Sequence, residues 1–238
     1  MKKILLASTI LVGSAGIAAA DVSFSGKAFM GVDSTNGGAT WGPRVTGQMD
    51  VAMSSETDGG LMFGADATIT FGGYKDGAAV ASGIGDVKVW ISGDFGKVSM
   101  KHKTAPADVT LGYEGTFGNF GVKANYGMLT AAWDIKLSYD FGNYDAYVKT
   151  ASTSVTGIGG SADFGDFGLS VDITDISTIS TTWDIGVTYD SGAVSVKAHA
   201  KAGGAWSLET GYDLGGGASI KGTFDNAGKY ALGVSMKF

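Results

Sequence analysis

From Asp21 onward, apolar and polar residues alternate with a period of two, the period of a β-strand. In the first run Val22, Phe24, Gly26, Ala28, Met30 and Val32 share one face, and Ser23, Ser25 and Lys27 the other. The second sets Val45, Gly47, Met49, Val51 and Met53 against Arg44, Thr46, Gln48 and Asp50. The third sets Leu61, Phe63, Ala65, Ala67, Ile69 and Phe71 against Asp66, Thr68 and Thr70. Further apolar registers begin at Val87, Val98, Val109, Val122, Trp133, Tyr144, Ile158, Phe167, Trp183, Val194, Trp206, Ala218 and Tyr230, which makes sixteen runs. An even number is what a bacterial single-chain transmembrane barrel has when both chain ends lie on the periplasmic side.

The segments between runs alternate in character. One set is tight: Phe-Gly-Asn-Phe at 117–120, Phe-Gly-Asn-Tyr at 141–144 and Phe-Gly-Asp-Phe at 164–167, with looser versions at 189–192 and 214–217. Gly beside Asn or Asp suits the positive φ of two-residue hairpin turns. The other set is more variable, as at residues 33–40 and 72–85, the latter being the longest. Short periplasmic turns and longer outer loops are the asymmetry of a membrane barrel.

Charge placement separates the two faces. A one-residue slip would exchange them, yet the apolar register holds no Asp, Glu, Lys or Arg in any run, and His102, at a run end, is its one basic-type residue. Thirteen of the fifteen Lys and Arg after the leader fall on the polar register: Lys27, Arg44, Lys88, Lys97, Lys101, Lys103, Lys123, Lys136, Lys149, Lys197, Lys221, Lys229 and Lys237. Lys75 is expected in a loop and Lys201 at a strand end. Arg or Lys at a bilayer midplane costs roughly 2–4 kcal/mol, which accounts for the exclusion. A soluble β-sandwich also alternates, with its apolar face inward. It does not explain the aromatics. Trp41, Trp133, Trp183 and Trp206 stand where runs follow the variable segments, while Phe117, Phe120, Phe141, Tyr144, Phe164, Phe167 and Tyr189 flank the tight turns. Two belts at opposite strand ends are where amphipathic rings meet membrane interfaces. The expected fold is therefore an all-β transmembrane antiparallel β-barrel of sixteen strands, placed in the cell outer membrane among its lipids.

Composition agrees. The chain has 40 Gly, 2 Pro, 44% apolar and 17% charged residues, too apolar for a disordered glycine-rich chain. Met1, Lys2 and Lys3, the apolar stretch from Ile4 to Val12 and the small residues Ala18, Ala19 and Ala20 read as a secretory signal peptide over residues 1–20, leaving a barrel over 21–238. The net charge of −6 becomes −8 when Lys2 and Lys3 are removed (−6 minus 2). An acidic chain without a basic cluster points away from nucleic acid. Without cysteine there is neither a disulfide framework nor a thiolate metal site.

The first strand from Asp21 to Val32, the segment from Ile91 to Met100, and the end from Tyr212 through the terminal Phe238 resemble the Gram-negative porins of the alphaproteobacterial type. The resemblance implies a sixteen-stranded barrel, usually a homotrimer, that passes small hydrophilic solutes. It also implies recognition of Phe238 by the outer-membrane insertion machinery and a long third outer loop folded into the lumen. The sequence departs at that loop: only residues 102–107 separate the runs beginning at Val98 and Val109, too few to cross a lumen. The family's constriction residues therefore do not carry over. The second outer segment, 72–85, is the candidate to reach a neighbouring subunit or to fold inward.

No catalytic motif stands out. His102 and His199 lie near no Ser or Asp pattern for nucleophilic catalysis, and no His pair has metal-ligand spacing. Asp172, Asp175 and Asp184 lack a calcium-loop pattern, so no cofactor is expected. What remains is a lined interior. The pore-lining candidates are Arg44, Lys88, Lys97, Lys101, Lys103, Lys123, Lys136, Lys149, Lys197 and Lys221 with Asp50, Asp66, Glu114, Asp134 and Glu209. Lys97, Lys101 and Lys103 form the densest basic patch. Mixed charge suits a water-filled porin channel for small hydrophilic solutes and ions. The alternative is a non-conducting structural or adhesive barrel, although sixteen strands enclose more space than side chains usually fill.

Overall fold

The computed structural model describes residues 20–35, 38, 40–104, 107–153, 156–176 and 181–238. The leader predicted over residues 1–20 lies outside the described residues as far as residue 19. Sixteen strands follow in order: β1 (Asp21–Thr35), β2 (Thr40–Glu56), β3 (Met62–Lys75), β4 (Ala78–Gly93), β5 (Gly96–Thr104), β6 (Ala107–Phe117), β7 (Phe120–Gly127) and β8 (Trp133–Asp140). Then come β9 (Tyr144–Ala151), β10 (Thr156–Phe164), β11 (Phe167–Thr174), β12 (Thr182–Ser191), β13 (Val194–Lys201), β14 (Trp206–Gly215), β15 (Ala218–Asp225) and β16 (Tyr230–Lys237). Each pairs antiparallel with its neighbours in sequence, and β1 pairs with β16 to close the barrel. The seam sets Lys27 opposite Lys237 and Met30 opposite Val234. Past β16, the Phe238 N–H donates to the Gly26 carbonyl at 2.9 Å. Closure leaves no free edge along the seam, as a lipid environment requires of a backbone that water cannot solvate.

The distribution of apolar residues is inverted relative to a soluble domain. Ala231 is the one buried hydrophobic residue among those described, while Phe24, Phe71, Ile84 and Leu232 are 59%, 61%, 67% and 55% exposed. Such a face is stable only against lipid. The predicted belts hold: Trp41, Trp133, Trp183 and Trp206 are exposed at the outer ends of β2, β8, β12 and β14. Phe117, Phe120, Phe141, Tyr144, Phe164 and Phe167 are exposed around the inner turns, and Tyr189 is half-buried there against the Phe167 ring. There Gly118 and Gly165 have φ of 60° and 63°. Glycine at the first of two turn residues gives the type II′ geometry that matches strand twist.

The structure revises the expected loops. Residues 72–85 are not a loop: β3 continues to Lys75 and β4 begins at Ala78, with Gly73 opposite Val80 and Lys75 opposite Ala78. Alternation fails there because of β-bulges. The register shifts between Thr46 and Gln48 against β2, and between Ala67 and Ile69 against β4. Lys75 is accordingly a strand residue, whereas Lys229 falls in the connection between β15 and β16. Likewise β1 runs to Thr35, shortening the first outer connection to residues 36–39. Two residues separate β5 from β6. These, Ala105 and Pro106, lie outside the described residues.

Candidate functional site

A strand that must keep charge off lipid turns it inward, and the inward register forms the lumen wall. Opposite charges meet there, either directly opposed or diagonal on adjacent strands or, for Lys149 of β9 and Asp172 of β11, across the glycines Gly157 and Gly159 of the intervening β10. Lys88 pairs with Asp66 at 2.9 Å, Lys149 with Asp172 at 2.7 Å, and Lys221 with Glu209 at 3.1 Å. Lys123 pairs with Glu114, and Lys101 with Asp86 at 2.8 Å. Asp184 takes Lys201 at 2.8 Å and His199 Nδ1 at 3.0 Å. These side chains keep about a third to a half of their surface open. Each pair therefore contributes on the order of 0–1 kcal/mol. The backbone ladder holds the barrel, and the pairs set the charge along its inner wall.

Several carboxylates are hydrogen-bonded to the wall by uncharged donors. Asp50 accepts from Gln48 Nε2 and Thr68 Oγ1, each at 2.7 Å, and Asp134 accepts from Asn125 Nδ2 at 2.8 Å. Ser161 donates to Asp145, and Tyr147 to Asp172.

Three cations rest on aromatic rings instead. Arg44 lies over Phe29 at 4.4 Å, Lys97 over Trp90 at 3.9 Å and Lys136 over Tyr147 at 3.6 Å. Each ring also lies against a glycine of the adjacent strand: Phe29 against Gly233, Trp90 against Gly64 and Tyr147 against Gly159. A β-carbon at Gly64 would fall 2.6 Å from the Trp90 ring, so glycine is what lets the ring lie flat on the wall. A cation over a ring face is attracted by its quadrupole, by roughly 0.5–1 kcal/mol where exposed. The sequence reading did not include Phe29, Trp90 and Tyr147 among the lining residues. Their parity was readable: each lies two residues from an inward lysine, namely Lys27, Lys88 and Lys149.

The predicted basic patch is dispersed rather than bare. Lys97 is taken by Trp90 and Lys101 by Asp86, while Lys103 stands opposite Asp108. Lys197 stands opposite Glu209. Two lumenal cavities gather these groups. One, of about 330 Å³, is bordered by Lys27, Phe29, Arg44, Gln48, Glu209 and Lys221. Another, of about 510 Å³, is bordered by Lys88, Lys101, Lys103, Glu114, Lys123 and Asp134. All fifteen predicted lining residues belong to strands, and both cavities carry both signs of charge.

Residues 7–121 match the family model described as Gram-negative porin. No curated protein matches the chain in sequence. Among solved structures, a triple mutant of the Rhodopseudomonas blastica porin is similar with a TM-score of 0.73 at 15% identity, covering 92% of this chain and 100% of that one. A porin structure refined at 1.8 Å gives the same TM-score and coverage at 20% identity. At such identity these structures establish the shared fold, while the family model carries the sequence relationship. With that match over residues 7–121 and a closed sixteen-stranded barrel like those of the solved porins, the protein is similar to the Gram-negative porins and is a passive channel of the outer membrane.

Proposed function

We propose that the water-filled lumen is a general-diffusion path for small hydrophilic solutes and ions, lined by the fifteen charged residues named from the sequence. The observation that carries this is the pairing of opposite charges along the wall, as in Lys88–Asp66, Lys149–Asp172 and Lys221–Glu209. Alternating signs leave no long stretch of one potential, so the expected ion selectivity is weak. Purified protein in a planar bilayer is expected to insert in discrete conductance steps, with a reversal potential near zero in a salt gradient. A folded barrel that passes no current would refute the channel, and a strongly cation- or anion-selective current would refute the balanced lining. Asp172→Asn leaves Lys149 without its counter-charge and is expected to move the reversal potential toward anion preference.

In this proposal residues 1–20 are the leader, removed before assembly. The functional unit is a homotrimer, supported by the usual state of the family that the sequence resembles. Light scattering of the detergent-solubilised protein tests that state, with a monomer mass refuting it.

A further inference from the structure

The β3–β4 hairpin carries a contact at the outer mouth that the lining does not explain. Gly72 and Gly73 have φ of +80° and +149°, a backbone that residues with a β-carbon rarely adopt, and they sit beside the β2 register shift. A bulge bends its strand and is common at barrel rims. Beyond the bend, the Asp76 N–H donates to Asp33 Oδ2 at 2.8 Å. Asp33 is on the inward register of β1, two residues past Gly31 and six past Lys27. Its neighbour on β2 is Gly42, which has no side chain to obstruct it. The carboxylate thus reaches across β2 on the lumenal side and catches the tip of β3–β4 from within. The contact leaves Asp33 only 2% exposed. Lys75 and Asp76 then border a cavity of about 310 Å³ together with Arg44, Lys197, His199 and Glu209, which come from β2, β13 and β14.

We propose that the tip of the β3–β4 hairpin is the channel's constriction at the outer mouth, and that Asp33 is the positioning residue that holds it inward. This rests on the channel reading above. It supplies the element that the two-residue β5–β6 connection is too short to provide, since two residues reach about 7 Å at most. Lys75 and Asp76 become the charged groups a solute meets first, and the side of the mouth at β13 and β14 faces them.

The test is single-channel conductance together with the size cut-off for neutral polyethylene glycols. It is applied to variants that pass the same heat-modifiability check for a folded barrel as the native protein. Asp33→Ala is expected to raise both conductance and cut-off. Replacing residues 74–79 by a two-residue Asn-Gly turn is expected to raise both at least as far, and adding Asp33→Ala to that replacement to change nothing more. Asp33→Asn keeps one oxygen to accept the Asp76 N–H and is expected to stay near native. Conducting variants with unchanged conductance and cut-off would overturn the constriction while leaving the channel intact. A native barrel that does not conduct would instead overturn the channel reading itself.

Discussion

Leu137 and Ser138 are adjacent in β8 but face opposite solvents, which makes them a direct measure of the face assignment. Leu137 is 48% exposed and stands opposite Val122 and Val148, both on the lipid face. It is four residues from Trp133 in the outer belt and four from Phe141 in the inner one, which places it near the bilayer midplane. Ser138 stands opposite Gly121 and Tyr147 in the lumen. Leu137→Lys therefore puts an ammonium into hydrocarbon, at a cost of roughly 2–4 kcal/mol. At about 1.4 kcal/mol per factor of ten, that is a loss of roughly 30- to 700-fold in the folded-to-unfolded ratio. Ser138→Lys adds the same charge to a water-facing wall and is expected to stay within about 0.5 kcal/mol of the native protein, as exposed substitutions usually do. The assay is denaturant unfolding of both variants in lipid vesicles, followed by tryptophan fluorescence. Equal losses in the two variants, or a larger loss at Ser138, would refute the inside–outside assignment on which the lumen rests.

Two further outcomes follow from the wall and the seam. Gly64→Val forces a side chain against both the Met53 carbonyl and the Trp90 ring, and is expected to cost about 1–3 kcal/mol by overpacking; Gly83→Val, where nothing lies within 4 Å of an added β-carbon, is the matched control in the same unfolding assay. Phe238 is 77% exposed, and recognition by the insertion machinery would act through that ring. Phe238→Ala is expected to lower the yield of folded barrel in the outer membrane, with stability of the barrel refolded in detergent little changed, and a native yield would refute the recognition.

The barrel was legible in the sequence because its determinants are local. Period two assigns each side chain a face, and the cost of charge in lipid makes the faces unmistakable: Val122, Leu137 and Val148 on one side, Lys123, Lys136 and Lys149 on the other. The belts were readable for the same reason, since Trp133 and Phe141 mark the two ends of a single strand. Strand pairing followed from the order of the runs and the tight glycine turns.

What only the tertiary structure decided lies where local period fails or where a partner sits on another strand. Ile84 and Val87 are 67% and 39% exposed although three residues apart, an odd spacing that only a bulge allows. No alternation predicts it, and residues 72–85 therefore resembled a loop. Parity places Lys101 in the lumen, but only the register brings Asp86 to it. It likewise places Lys97 in the lumen without saying that Trp90, held flat over Gly64, will lie beneath it. The contact of Asp33 with Asp76 joins residues two strands apart across a glycine and needs the bend at Gly72 and Gly73. The sequence alone determined which face each residue occupies, because that is set by one dihedral repeat and one solvent. The three-dimensional fold alone determined which residues meet, because that depends on register, bulges and closure accumulated over sixteen strands.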